Sequence, residues 1–137
     1  MAQRGPEDKG SKTIDHKRSA SLVASFRCAF HGISQAVTSQ RNMRIHLLIA
    51  VLAILAGLIL RLTALEWFAI LLLIGAVLAF EMLNTAIETL TDLVSPHYHP
   101  LAKDAKDIAA GMVLVMAVTA VICGLIVYFN AFSRLIG

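Results

Sequence analysis

The sequence predicts an all-α integral membrane protein, with three transmembrane helices preceded by an amphipathic surface helix. Of its 137 residues, 58% are hydrophobic, and the mean hydropathy is +0.74. That composition is too apolar for an ordinary soluble domain, and the length suits a single domain. The apolar residues are gathered into three runs, 45–60, 63–80 and 108–132, and the third run carries no charged residue. A helix needs about 20 apolar residues to cross the hydrocarbon core of a bilayer.

The first two runs are too long together for one span, and Arg61-Leu62-Thr63 separates them as a tight polar turn. We therefore predict spans at about 45–61, 63–93 and 101–132. Residues 1–18 are polar and contain Gly5, Pro6 and Gly10, which predicts a disordered tail, and residues 19–137 form one membrane domain. The alternative, a buried helical hairpin in a soluble bundle, is disfavoured because the rest of the chain is too small to cover it.

The segment from about 19 to 40 predicts the surface helix. One apolar stripe recurs there at helical spacing, and it comprises Leu22, Phe26, Ala29, Phe30, Ile33 and Val37. Such a helix is too polar to span and is expected to lie in the headgroup plane. It either anchors the domain or forms one wall of a site that lipid can reach, and amphipathicity alone does not separate these roles.

The basic residues predict the orientation. Eight lysines and arginines precede the first span, and Lys103 and Lys106 lie in the second connection, whereas the first hairpin has Arg61 and the tail has Arg134. The positive-inside rule then places the N-terminus in the cytoplasm and the C-terminus outside. The modest basic excess suits anionic headgroups, so we expect no nucleic-acid partner.

A polar face interrupts the second span near its end. On a helix, four residues of this stretch share one face: Glu81, Asn84, Glu88 and Asp92. Carboxylates near a membrane are costly unless they are paired, hydrated or bound to a cation. The compensating cation could be Lys103 or Lys106, which with Asp107 share a face of the third helix, or it could be a metal such as Mg²⁺.

Residue types alone leave three functions open for this face. Acids, lysines and a hard metal at one interface suit phosphoryl transfer, which depends on charge neutralisation and positioning. Intramembrane acids also serve ion or proton conduction, and they can be plain hydrogen-bond partners between helices. The sequence has no GxxxxGK[ST] motif, so a nucleotide site would be unconventional.

Two segments, "EMLNTAIETLTDL" and "HYHPLAKDAKDIAAG", together with the spacing of the three spans, resemble the small prokaryotic diacylglycerol kinase family, which includes the undecaprenol kinases. The similarity runs from about residue 19 to 132, and "RNMRIH" is closer to the undecaprenol kinase branch. The resemblance implies a homotrimer in the bacterial plasma membrane. It also implies transfer of the γ-phosphate of MgATP to a lipid hydroxyl at the cytoplasmic interface.

The resemblance also implies roles for individual residues. Glu81 matches the general base and Glu88 matches a metal-coordinating glutamate. The nucleotide-contacting positions it implies are Cys28, Gln40, Glu88, His97, Tyr98, His99, Lys106 and Asp107. The supporting positions it implies are Ser21, Arg44, Asn84, Asp92 and Lys103.

One position departs from the family pattern. Where the family usually has a second metal-binding glutamate before the Arg-Asn pair, this chain has Gln40. An amide oxygen can coordinate Mg²⁺ but brings no formal charge, so a catalytically weak relative stays as an alternative beside a small transporter. The expected acceptor is undecaprenol or diacylglycerol; both present one primary hydroxyl on an apolar body, and no residue of the sequence visibly selects between them.

Overall fold

The computed structural model describes residues 22–137, which form four α-helices. They are α1 (Leu22–Ser39), α2 (Arg41–Ile59), α3 (Ala64–Val94) and α4 (Pro100–Ile136). The predicted tail over 1–18, the start of the surface helix and Ser21 lie outside the described residues.

Helices α2, α3 and α4 are each long and apolar enough to cross a membrane. At most 17% of the apolar window of each helix is buried. Large apolar side chains such as Leu48, Leu72 and Leu125 are more than half exposed. Exposed apolar surface on this scale suits lipid and not water. The predicted all-α architecture with three span candidates is confirmed, and the exposed apolar surface disfavours the soluble hairpin bundle.

The observed helices extend beyond the predicted apolar spans. Helix α2 begins at Arg41, four residues before the predicted start at 45, and α4 continues to Ile136 past the predicted end at 132. Polar residues lengthen these helices outside the apolar runs, which is why hydropathy underestimates them. Gln40 is extended (φ −102°, ψ 124°) and separates α1 from α2.

The turn between α2 and α3 is fixed by its backbone. The amide of Leu62 donates to the Gly57 carbonyl at 3.1 Å, and the amide of Arg61 donates to the Leu58 carbonyl at 3.3 Å. This pair of bonds is a Schellman motif. Its left-handed position is taken by Arg61, with φ 52°. Helix α3 then starts with a capping box between Thr63 and Glu66.

A clamp holds the start of α3 to the end of α4. The Arg134 guanidinium donates from Nη1 and Nη2 to the two carboxylate oxygens of Glu66, each at 2.9 Å. Beneath it, Leu62, Ile70 and Ala131 form a buried cluster. The clamp and this cluster join α3 to α4 at the end of the bundle opposite the polar face.

The other end of the bundle is called here the basic end, because Arg41, Arg44, Lys103 and Lys106 lie there, where α2 and α4 begin and α3 ends. Helix α3 has 31 residues and α4 has 37, or about 46 Å and 55 Å at 1.5 Å per residue. Both exceed a hydrocarbon core of about 30 Å. Because both helices are longer than the hydrocarbon core, the polar face of α3 can lie at the boundary between hydrocarbon and headgroups.

Candidate active site

The polar face of α3 contains two buried polar side chains. Glu81 is 1% exposed and Asn84 is 5% exposed, and both lie toward the basic end. A buried carboxylate is costly unless another group or a ligand compensates it. Its presence in a helix of this kind indicates a functional site.

Glu81 faces a histidine of α2. His46 Nε2 lies 4.0 Å from Glu81 Oε2, and the histidine side chain is 17% exposed. That separation is too long for a hydrogen bond. Within residues 22–137, the buried Oε2 atom has no hydrogen-bond partner. The carboxylate is therefore open on the side that faces α2.

About two turns further along α3, Glu88 receives two amide donors. Asn84 Nδ2 donates to Glu88 Oε1 at 3.0 Å, and Gln40 Nε2 donates to Glu88 Oε2 at 3.4 Å. The packing of α1 and α2 against α3 brings Gln40 to this position from 48 residues away in sequence. Three predicted site residues thus form one carboxylate–amide cluster.

The cluster has the donor types of a hard-metal site but only one carboxylate. In the described part of the chain, no three His, Cys, Asp or Glu side chains converge as ligands. Asn84 Oδ1 is buried and lacks a hydrogen-bond partner there. Carboxylate and amide oxygens are both ligands for Mg²⁺, which typically takes one or two protein carboxylates plus water and phosphate. Glu88, Asn84 and Gln40 therefore fit such an ion if its other ligands come from a bound nucleotide.

The two lysines of α4 behave differently. Lys106 Nζ contacts Asp92 Oδ1 and links α4 to α3, so one of the two predicted cations does compensate the polar face. Lys103 contacts Asp107 within α4 and does not reach the carboxylates of α3. Both pairs are partly exposed, so they contribute little to stability and are easily exchanged for other partners.

The remaining predicted residues do not bond to the two carboxylates. Cys28 is exposed on α1, and Arg44 Nε donates to the Gln40 carbonyl at 3.4 Å. His97, Tyr98 and His99 form the exposed connection between α3 and α4, where the Ser95 hydroxyl donates to the His97 carbonyl at 3.0 Å. None of these five predicted side chains makes a hydrogen bond or ion pair with Glu81 or Glu88.

His46 was not among the predicted site residues. The signal for it was present, because it is the single polar side chain in the apolar run 45–60. It also lines an apolar groove of about 300 Å³ between α2, α3 and α4. Its neighbour in the site, Glu81, is 35 positions further along the chain, so the pairing depends on how the helices pack.

Comparison with known proteins identifies the family of this chain. Residues 27–128 match the family model described as prokaryotic diacylglycerol kinase. The undecaprenol kinase of Bacillus subtilis is 41% identical over 115 residues, which cover 83% of this chain and 94% of that protein. A diacylglycerol kinase of Synechocystis sp. is 47% identical over 104 residues, which cover 75% of this chain and 59% of that protein. A diacylglycerol kinase of Sinorhizobium sp. is 30% identical over 135 residues, which cover 98% of this chain and 93% of that protein.

The match over residues 27–128 includes all of α2 and α3 and most of α1 and α4, and it contains the α3 segment that carries Glu81 and Glu88. The family predicted from the sequence is thus confirmed, and the Bacillus relative supports the predicted likeness to the undecaprenol kinase branch. The relatives are named kinases of lipid alcohols, so the chain is a lipid kinase and not a transporter. It belongs to the prokaryotic diacylglycerol kinase family.

Proposed function

We propose that this protein transfers the γ-phosphate of ATP, with Mg²⁺, to the primary hydroxyl of a membrane lipid alcohol. The acceptor is undecaprenol or diacylglycerol, and the product is undecaprenyl phosphate or phosphatidic acid. One observation carries the proposal: a fully buried carboxylate oxygen of Glu81 lacks a partner beside the Glu88 cluster of carboxylate and amides.

Glu81 acts as the general base in this proposal. The lipid hydroxyl gives its proton to Glu81 Oε2 as its oxygen forms a bond to the γ-phosphorus. The bond from that phosphorus to the bridging oxygen breaks, and ADP leaves with the electron pair. A base must lie within hydrogen-bond reach of the proton it takes, and Oε2 is free to accept one.

Glu88 would hold Mg²⁺, with Asn84 and Gln40 supplying amide oxygens after a turn of the amide groups. The bound ion would neutralise charge on the nucleotide phosphates. Before the amide groups turn, their N–H groups hold the Glu88 carboxylate in position. Gln40 brings no charge, so the site depends on Glu88 for its formal charge.

The phosphates would be received by the cations of the basic end. Lys106 is bound to Asp92 and Lys103 to Asp107, and both pairs are exposed enough to rearrange when an anionic ligand arrives. Arg44 lies in the first turn of α2, His97, Tyr98 and His99 lie in the connection before α4, and Cys28 lies on α1; we assign all five to the nucleotide site on the family resemblance. Because the basic end carries most of the positive charge, we assign it to the cytoplasm, where ATP is present.

Assembly and membrane position complete the proposal. Helix α1 would lie in the headgroup plane, since Leu22, Val23, Phe26 and Phe30 are all more than 60% exposed. The three spanning helices bury little of one another, which leaves apolar surface for the homotrimer that the family resemblance implies. The C-terminus would then lie outside the cytoplasm.

The test is transfer of label from γ-labelled ATP in mixed micelles with Mg²⁺, with undecaprenol and dioleoylglycerol offered separately. We expect label in one or both lipids from the wild-type protein. Glu81→Gln or Glu81→Ala should lower the transfer rate about 10²- to 10⁴-fold, the usual contribution of a positioned base.

Glu66→Gln is the matched control. It makes the same chemical change at the opposite end of the bundle, and it should retain transfer at a temperature where both variants are folded. A folded wild-type protein that labels neither lipid would overturn the proposed activity. Equal rates for Glu81→Gln and Glu66→Gln would remove Glu81 from the role of base.

A further inference from the structure

The apolar groove leads directly to the buried carboxylate. Its walls come from α2, α3 and α4 and include Ala53, Ile74, Val77 and Ala120. His46 lines the groove on the side of the basic end, and its Nε2 lies 4.0 Å from Glu81 Oε2, so the groove reaches the carboxylate through this histidine. A chain of hydrocarbon in this groove would present its polar terminus to Glu81.

The groove has one polar side chain at each end. Among the described residues that line it, only His46 and Tyr128 carry polar side-chain atoms. The Tyr128 hydroxyl donates to the Ala53 carbonyl at 2.8 Å, so it is already satisfied. His46 makes no hydrogen bond within residues 22–137, and its Nε2 points toward Glu81 at 4.0 Å.

The distance between His46 and Glu81 fits one intervening oxygen atom. Hydrogen bonds to oxygen are about 2.7–3.0 Å long. An oxygen about 2.8 Å from both Nε2 and Oε2 satisfies two such bonds across the 4.0 Å separation. An alcohol suits this position because its oxygen accepts one hydrogen bond while its O–H donates another.

We propose that His46 binds the hydroxyl of the acceptor lipid. Its Nε2–H donates to the hydroxyl oxygen, the hydroxyl donates to Glu81 Oε2, and the adjoining hydrocarbon lies in the groove. This inference rests on the proposed lipid kinase activity and adds the residue that holds the acceptor. During transfer the hydroxyl proton moves to Glu81, the oxygen bonds to phosphorus with a lone pair, and His46 keeps its own proton.

The acceptor lipid is the occupant that the groove fits. The walls are apolar and lie within the three span candidates, and the polar residue at one end, His46, lies 4.0 Å from the buried carboxylate of Glu81. A helix of a second copy of this chain would fill the walls but would leave His46 Nε2 and Glu81 Oε2 without a hydroxyl between them.

The first experiment compares acceptor kinetics for His46→Ala, His46→Gln and the matched control His31→Ala, which lies on the exposed face of α1. Undecaprenol and dioleoylglycerol are the acceptors. We expect His46→Ala to raise the apparent KM for the lipid about tenfold, the worth of one hydrogen bond to a buried group. The KM for ATP should not change, and His46→Gln, which retains an N–H donor, should recover most of the loss.

The second experiment uses inhibitors that keep or remove the oxygen. The methyl ether of the accepted alcohol retains the oxygen but has no proton to donate, and the deoxy hydrocarbon lacks both. In the wild-type protein the ether should inhibit about tenfold more tightly than the hydrocarbon. That difference should vanish in His46→Ala if the imidazole donates to the oxygen.

Two results would overturn the inference while leaving the lipid kinase activity intact. One is an unchanged lipid KM together with unchanged ether inhibition in His46→Ala. The other is found with Ala120→Phe, which fills the groove: a changed oligomeric mass in detergent with an unchanged lipid KM would assign the groove to a second copy. A wild-type protein that labels neither lipid would contradict the underlying activity instead.

Discussion

At the scale of single residues, the two carboxylates of the site differ in their hydrogen-bond partners. Glu81 is buried with an open oxygen, whereas Glu88 is held by two amides. The two acids therefore differ in environment although they share one helix face. The first suits proton transfer at the lipid and the second suits ion binding near the phosphates.

Gln40→Glu tests the Glu88 cluster. The change removes an amide donor to Glu88 and places a second carboxylate opposite it. With Mg²⁺ limiting, we expect transfer activity to rise, because two carboxylates bind the ion more tightly than one. Without Mg²⁺, we expect a lower unfolding temperature, because two like charges then repel each other.

The measurements are activity and thermal unfolding against Mg²⁺ concentration. The same substitution at Gln35, whose side chain is exposed on α1, is the control. An unchanged Mg²⁺ dependence for Gln40→Glu would remove Gln40 from the metal site.

Much of this residue-scale pattern was predictable, because helical periodicity alone places Glu81, Asn84, Glu88 and Asp92 on one face. The partners were not predictable, because they depend on packing between helices. The contact from Gln40 to Glu88 joins residues 48 apart. The sequence likewise does not tell which lysine reaches Asp92.

At the scale of helices, two residues at the turn between α2 and α3 affect stability in opposite directions: one is well suited to its position and the other is strained. A Cβ added to Gly57 would lie 2.8 Å from Trp67 Cη2 and 2.9 Å from Leu62 Cδ1, so this glycine is required for close packing. Arg61 adopts a left-handed conformation that glycine adopts more easily. The turn thus requires the small Gly57 for packing, and it holds the backbone of Arg61 in a strained conformation.

We expect Gly57→Ala to destabilise the bundle by about 1–3 kcal/mol, since overpacking outweighs the gain in helix propensity. Arg61→Gly should stabilise it by about 1 kcal/mol through relief of the left-handed strain. Reversible unfolding in mixed micelles would measure both. Stabilisation by Gly57→Ala would show that Trp67 moves aside at little cost.

The helices themselves were predicted well because a bilayer leaves backbone few options other than helix. Their ends were predicted less well. The apolar run begins at Ile45, but the helix begins at Arg41, directly after Gln40, whose extended backbone separates α1 from α2. Hydropathy does not register such a break.

At the scale of the whole molecule, the charge distribution predicts orientation. Native cysteines provide the test, because Cys28 is exposed on α1 and Cys123 lies in the apolar part of α4. A membrane-impermeant thiol reagent should label Cys28 in inside-out vesicles and not in sealed right-side-out vesicles. Cys28→Ser should abolish that labelling.

Labelling of Cys28 from the outside would reverse the proposed topology and move the basic end away from cytoplasmic ATP. Detergent lysis serves as the control for access, since it should expose Cys28 in both kinds of vesicle.

The length of α3 and α4 has a consequence for the host membrane. Both are continuous helices joined at one end by the ion pair between Arg134 and Glu66. The distance of Glu81 from that end is therefore set by the rise of α3. A lipid's headgroup, in contrast, moves inward or outward with bilayer thickness. In a thicker or thinner membrane, the hydroxyl of the acceptor lipid would lie at a different depth relative to Glu81. The helices would compensate for this mismatch by changing their tilt. We therefore expect turnover to vary with hydrophobic mismatch, an effect that the surrounding acyl chains would exert without occupying the site.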